Sequence, residues 1–181
     1  MGCNLRDLVE NHPIELKSLA GKVVGIDAFL VAFQFITSMR NRGPEGDGGP
    51  LSDSKGRPTP HLIGFLERTT TMIELGLKPV YIFDGKHPEL KADVMKKRST
   101  RRADAKKKWK EALAAGDYQR AQKYGQQSAE YTPEMQEQTK KLLDLLGVPW
   151  VDAAAEGEGQ AAVMAKRGEL DIVATQDWDA L

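Results

Sequence analysis

Six carboxylates stand out by position: Asp27, Asp84, Glu156, Glu158, Asp177 and Asp179. Each comes at or just after a short apolar run. Val23-Val24-Gly25-Ile26 precedes Asp27, and Val80-Tyr81-Ile82-Phe83 precedes Asp84. Val148-Pro149-Trp150-Val151 precedes the two glutamates, and Ile172-Val173-Ala174-Thr175 precedes the last pair. One acid after a strand is ordinary, because Asp favours turns and helix caps. Six on one rim would repel one another and shift each other's pKa values unless cations neutralised them. No His or Cys accompanies them, which points to hard, oxygen-seeking ions such as Mg²⁺ or Mn²⁺ rather than zinc. Two such ions at ~3.5–4 Å can activate a water and stabilise the leaving oxygen in phosphodiester hydrolysis. Asp152 also follows an apolar run and reads as a cap or turn residue.

The stretch Gly157-Glu158-Gly159-Gln160-Ala161-Ala162 also matches a G-x-G-x-x-A dinucleotide fingerprint, with Asp177 where the ribose-binding acid would fall. A diphosphate is held by bare backbone N–H groups at a helix N-terminus, and Glu156 and Glu158 would repel it. Only one strand follows, too little for a dinucleotide unit. The loop therefore reads as a carrier of carboxylates, which a helix N-terminus favours. Gly157 and Gly159 are expected to turn the backbone so that both acids face the metals, since i and i+2 diverge on a regular helix.

The four apolar runs predict buried strands, and they alternate with helical patterns over Leu62–Leu75 and Met135–Leu146, the latter punctuated by Pro133 and Gly147. Alternation of this kind predicts an α/β fold with a mostly parallel central sheet flanked by helices. Strand ends of one polarity share an edge of such a sheet, where open α/β folds keep their sites. Two segments fall outside this scheme. Residues 41–60 are rich in Gly, Pro, Ser and Asp and read as a long exposed loop. Residues 91–127 are charged and helix-favouring, with few large apolar residues and breaks near Gly116 and Gly125. They are expected to project as a helical arch or hairpin.

The 181 residues suit one domain with a real core, and 40% apolar with 29% charged residues is ordinary for a soluble protein. A single cysteine excludes an internal disulfide framework. No apolar run approaches the ~18 residues of a membrane span, and the charged N-terminus is unlike a signal peptide. Met1-Gly2-Cys3 hints at lipidation, but Arg6 stands where myristoylation wants Ser or Thr. The formal net charge of zero conceals a polar arrangement. From Lys86 to Lys110 there are eleven Lys/Arg against Glu89, Asp93 and Asp104; from Asp144 onward there are eight Asp/Glu against Lys166 and Arg167. That pairing suits an enzyme that grips a polyanion and holds cations at its reactive centre, although a solvated helix face beside ordinary acidic surface produces the same totals.

The motifs "VVGIDAF", "DSKGRPTPHLIGFLERT", "GLKPVYIFDGKHPELK", "KKRSTRRADA", "LLGVPWVDAAAEGEGQAA" and "ATQDWDAL" resemble, in order and spacing, the archaeal and eukaryotic flap endonuclease family over essentially the whole chain. The resemblance implies a 5′-nuclease (PIN-like) fold and a divalent-metal-dependent enzyme that cuts 5′-flapped DNA near the junction in Okazaki-fragment processing and long-patch repair. It implies Asp27, Asp84, Glu156 and Glu158 as ligands of a first metal, and Asp177 and Asp179 as ligands of a second. Mg²⁺ is the expected ion, with Mn²⁺ able to substitute. Lys91 and Arg98 match basic residues at the foot of the arch that contact the scissile phosphate. Phe33 falls where relatives usually have a base-stacking tyrosine, and an aromatic ring retains the π-face. Gly2 matches an N-terminal glycine near the active site, and Arg68, Arg101 and Arg102 are further expected DNA contacts. Residues 41–60 match the loop that wedges against the junction, and residues 86–130 match the basic arch, both inserted in an N-terminal nuclease region spanning 1–181.

Departures from the family pattern leave every carboxylate intact: Asp27-Ala28-Phe29-Leu30 for "DAYN"-like stretches, Ala155-Glu156-Gly157-Glu158-Gly159 for "SEAEA", and Trp178 between the last acids. Relatives continue past "QDWDAL" with another aspartate, a duplex-binding helical element and a tail that binds the sliding clamp; none of these is expected within 1–181. The resemblance implies residence in the cytoplasm of an archaeon or a eukaryotic nucleus, with branched DNA as partner and no membrane. Two rivals are a PIN-like RNase and a fragment that binds branched DNA without efficient cleavage.

Overall fold

The computed structural model of the protein describes residues 12–85 and 92–175, excepting the side chain of Ala92. Its elements, in order, are β1 (Val23–Asp27), α1 (Ala28–Ser38), α2 (Pro60–Glu74), β2 (Lys78–Phe83), α3 (Ala92–Ala114), α4 (Tyr118–Gln127), α5 (Pro133–Leu146), β3 (Trp150–Asp152), α6 (Gly157–Lys166) and β4 (Ile172–Ala174), with a 3₁₀ turn at Leu16–Leu19. They divide into two compact units: one comprises Met1–Val31, Leu66–His87 and Lys140–Leu181, the other Ala32–Phe65 and Pro88–Thr139.

The first unit contains the sheet. Its strands run in the order β3-β2-β1-β4, and all three pairings are parallel, as the alternating sequence pattern predicts. A buried cluster of Val80, Ile82, Ala153, Ala161, Met164 and Leu170 fills the space between the sheet and α6. Tyr81, Ile82 and Leu143 are fully buried here. Burying an aliphatic side chain of that size stabilises by roughly 1.5–3 kcal/mol. The Tyr81 hydroxyl shares a 2.9 Å hydrogen bond with Thr69 Oγ1, so a polar atom reaches the core without being orphaned. At the sheet edge, Lys140 Nζ lies 4.7 Å from the Trp150 ring centre and 5.2 Å from that of Phe83. The same ammonium pairs with Asp152 at 2.8 Å, which gives that acid a structural partner.

The second unit is helical and holds the basic segment. The shortage of large apolar residues in 92–127 is met by small ones: α3 packs on α4, and the buried positions of the pair are Ala105, Ala112, Ala121 and Gly125. Gly116, at φ +70°, makes the break between them, and Asp117 caps α4 by accepting from the Arg120 N–H at 3.0 Å. The second expected break, near Gly125, comes at the end of α4 at Gln127, although Gly125 itself does not make it. Gly125 lies within α4, where a Cβ would collide with the carbonyl oxygen of Gly48.

That close approach corrects the reading of residues 41–60 as a simple exposed loop. Gly48 and Gly49 are buried, and Asn41 to Pro50 is pinned to the helices of its own unit. The buried Arg40 guanidinium donates to the carbonyls of Ile36 (2.9 Å), Gly48 (2.7 Å) and Gly125 (2.6 Å). Trp109 Nε1 donates to Asp47 O at 2.6 Å, and Gln122 Nε2 donates to Gly43 O at 2.6 Å. Residues 41–45 and 51–57 are largely exposed, as a loop reading expects, the latter held by the Ser52–Pro58 bridge and the Asp53–Arg57 pair. Among the described residues no helix is long and apolar enough to cross a membrane.

Candidate metal centre

All the described acids of the expected rim belong to the sheet-bearing unit. Asp27 is the last residue of β1, and α1 begins at the next residue without a loop. Its Oδ1 accepts the Leu30 N–H at 3.0 Å, so one carboxylate both ends the strand and caps the helix.

Asp84 follows the last residue of β2, and three hydrogen bonds fasten this strand end to the loop after β3. Ala153 N donates to Phe83 O at 2.8 Å, Gly85 N to Ala155 O at 2.7 Å, and Gly157 N to Asp84 Oδ1 at 2.7 Å. The approach is tight enough that a Cβ on Gly85 would strike the Ala153 carbonyl. One on Gly157 would sit 3.1 Å from Asp84 Oδ1.

Glu156 and Glu158 enter through this fastening, and their geometry differs from the expectation. Neither Gly157 nor Gly159 adopts a left-handed conformation; both are ordinary residues of α6. Glu156 lies outside the helix, as an extended N-cap (φ −91°, ψ 138°), while Glu158 is in its first turn. A Cβ at Gly157 would crowd Asp84, which would have to give by a few tenths of an ångström. A side chain at Gly159 would meet open space. Glu158 Oε1 accepts the Thr175 hydroxyl at 3.0 Å, across from the end of β4.

Electrostatics tie three of these acids together. Burial, opposed by the Leu30 N–H and aided by the negative charges of Asp84 and Glu158, pushes the Asp27 carboxyl up to about 6. Among the described residues no three His, Cys, Asp or Glu side chains close around a single point that an ion would occupy. The donor set nonetheless fits a hard divalent cation. It is all carboxylate, it is half-buried, and Asp27 is held away from its ordinary ionised state first by burial and then by the like charges of Asp84 and Glu158. Asp177 and Asp179 lie outside the described residues, as do Lys91 and Gly2.

The remaining expected residues that the structure describes lie on α1, α2 and α3. Arg68 is exposed on α2 of the sheet-bearing unit. In the helical unit, Phe33 is half-buried on α1, and Arg98 and Arg101 are exposed on α3. Arg101 shares a recess with Asp104, Lys108, Tyr124 and Gln127. Arg102 is half-buried and faces Glu130 at 3.6 Å, beside a cavity of about 330 Å³ that Arg40, Lys106 and Trp109 also line. Sequence reasoning missed Thr175, counted only as the end of an apolar run, and Arg40. A hydroxyl two residues before an acid at a strand end was the available signal for the first. For Arg40 nothing in the local pattern marked a buried cation.

Residues 3–105 match the XPG N-terminal domain and residues 147–181 match the XPG I-region. The first match contains Asp27 and Asp84, and the second contains the other four acids. The chain is 46% identical over 185 residues to flap endonuclease 1 of Staphylothermus marinus, covering all of this chain and 52% of that protein. It is 47% identical over 184 residues to flap endonuclease 1 of Hyperthermus butylicus, covering all of this chain and 51% of that protein. The chain thus spans about half the length of the curated relatives it matches. Among solved structures, flap endonuclease-1 from Methanococcus jannaschii superposes with a TM-score of 0.69 at 38% identity, over 99% of this chain and 56% of that one. The catalytic core of Rad2 in complex with a DNA substrate superposes with a TM-score of 0.62 at 25% identity, over 93% of this chain and 43% of that one. With both segments matched and the acids carried on a parallel sheet of the same fold, the chain belongs to the XPG N-terminal domain family.

Proposed function

We propose that this chain is the nuclease region of a metal-dependent, structure-specific 5′ nuclease that hydrolyses DNA phosphodiesters at flap junctions in replication and repair. The observation that carries the proposal is the fastening of residues 83–85 to residues 153–157, which brings Asp84 and Glu158 into the electrostatic field of Asp27. The substrate class is supported by the relatives, which are flap endonucleases, and by the Rad2 core, which was solved with a DNA substrate.

Asp27, Asp84, Glu156 and Glu158 would hold one ion, and Asp177 and Asp179 a second. Mg²⁺ is the proposed ion, with Mn²⁺ as substitute, because the donors are hard oxygens. When bound, such ions supply charge neutralisation and water activation at a phosphodiester. The chain's own residues supply position. Asp27 and Asp84 are presented by strand ends, and each spends Oδ1 on a backbone N–H, which fixes the plane of the carboxylate. Lys91 and Arg98 would steady the charge that develops on the phosphoryl group. Phe33 would stack on a base, and Arg68, Arg101, Arg102 and the backbone at Gly2 would bind the DNA.

The test is cleavage of a 5′-flap duplex in Mg²⁺, with single-stranded RNA alongside and EDTA as control. The wild-type chain is expected to cut the flap only with metal, and Asp84→Ala not to cut. Equal cleavage by Asp84→Ala removes the metal assignment. Preferential cleavage of the RNA favours a PIN-like RNase, and flap binding without a product favours a branched-DNA binder.

A further inference from the structure

Thr175 sits one residue past the end of β4, and β4 pairs with β1 so that Ala174 stands opposite Ile26. One step further along the register, Thr175 and Asp27 share the same rim. From there the Thr175 hydroxyl donates to Glu158 Oε1 at 3.0 Å, linking the end of β4 to the first turn of α6. The clustered acids Asp27 and Asp84 take their donors from backbone, the N–H groups of Leu30 and Gly157. Glu158 has a side-chain donor. This matters because a glutamate has more rotatable bonds than an aspartate, so ordering it costs more side-chain entropy. A threonine is well suited to hold it, because its β-branched side chain is stiff about χ1 and its hydroxyl fixes a carboxylate without adding charge.

We infer that Thr175 is a positioning residue, which acts through Glu158 to orient that carboxylate for a divalent cation. The inference deepens the reading of the acid cluster as a metal centre and rests on it. Removing an outer partner of a ligating carboxylate typically weakens metal binding about 10–100-fold.

The experiment titrates the full 181-residue chain with Mn²⁺ alone, without DNA, and follows free Mn²⁺ by electron paramagnetic resonance. Thr175→Val keeps the shape and removes the hydroxyl; Thr175→Ser keeps the hydroxyl. The expected result is Mn²⁺ affinity lowered at least about tenfold in Thr175→Val and within about threefold of wild type in Thr175→Ser. The melting temperature in EDTA is expected to be the same for all three proteins. Wild-type affinity in Thr175→Val overturns the inference, and so does equal weakening in both variants. A melting temperature in EDTA that falls along with the affinity assigns Thr175 to packing and also overturns it. Glu158→Gln separates the two levels of the argument. If it binds Mn²⁺ as wild type does, or if wild type binds none, the metal-centre reading falls and the inference with it. If Glu158→Gln loses binding while Thr175→Val does not, only the inference falls.

Discussion

The two units carry charge in opposite ways. In the sheet-bearing unit the charged groups of interest are few, half-buried and individually placed: Asp27 caps a helix, Asp84 accepts from Gly157, and Glu158 accepts from Thr175. In the helical unit the charges are many and mostly exposed, with Lys96, Lys97, Arg98 and Arg101 on one stretch of α3. A placed charge acts through geometry, so losing one changes the chemistry. A spread charge acts through its field, so losing one changes the sum slightly. The helical unit also has placed charges, such as Arg40 and the α4 cap Asp117, and their work is structural.

The largest expected effect tests the placed acids. Asp27→Asn keeps the size and the cap but removes a charge. It should lower Mg²⁺-dependent flap cleavage by more than about 10²-fold, beyond the loss from an outer partner alone. Single-turnover cleavage measures this directly. A loss no larger than that of a single α3 arginine substitution would erase the distinction between the units.

Next is Arg40. Arg40→Ala leaves the carbonyls of Ile36, Gly48 and Gly125 without their donor in a buried setting. Hydrogen bonds to charged donors contribute roughly 1.5–3 kcal/mol each, and the losses do not add fully, so about 3 kcal/mol is expected. Arg40→Lys should rescue little of it, since one ammonium cannot reproduce the fork that reaches three carbonyls. Urea denaturation followed by far-UV ellipticity reads the change. A cost under about 1 kcal/mol would mean that loop and helices hold without the pin.

The same contrast explains how much was legible in the sequence. The sheet, its parallel order and the places of Asp27 and Asp84 at strand ends followed from apolar runs and from what comes right after them, because strand ends and helix caps are local features. Pro133 and Gly147 likewise marked the ends of α5. The tethering of residues 41–50 to α3 and α4 was not legible, because it depends on Gly48 meeting Gly125 and on Trp109 reaching Asp47, contacts between residues about 60–80 positions apart. Composition read that segment as free loop, since glycine and proline signal a turn whether or not something packs against it. The glycines of α6 misled for a related reason. Gly157 lies against Asp84, which comes from another strand and is invisible in the local pattern.

A spread charge should behave otherwise. Arg101→Ala is expected to weaken binding to flap DNA only severalfold and almost equally across sequences. It should flatten the dependence of log K on log salt by about 0.7–0.9 if one phosphate contact is lost. Fluorescence anisotropy over a salt series checks this. A loss above about 10²-fold with an unchanged slope would make Arg101 a placed residue like Asp84.

The smallest effect separates the units by sign. His61 is fully buried in the helical unit, with Nε2 2.8 Å from Gln138 Oε1. Because that oxygen accepts, Nε2 carries the hydrogen and Nδ1 is the bare nitrogen, buried without a hydrogen-bond partner. Burial lowers the His61 pKa, against the raising influence of Gln138 and of the Glu134 charge. The folded state therefore resists a proton that the unfolded chain accepts below the ordinary histidine value of 6.5. The stability this contributes is complete above that value and is lost as pH falls through the folded pKa. Asp27 runs the other way. Raised from 3.8 to about 6, it binds a proton in the folded state first, so its contribution is complete below 3.8 and is lost as pH rises through about 6. Melting curves in EDTA between about pH 7.5 and 5 should show acid destabilisation reduced in His61→Gln and increased in Asp27→Asn, relative to wild type. The helical unit loses stability on acidification because a buried group must gain a charge. The acid rim gains it because Asp27, buried and near other acids, is allowed to lose one.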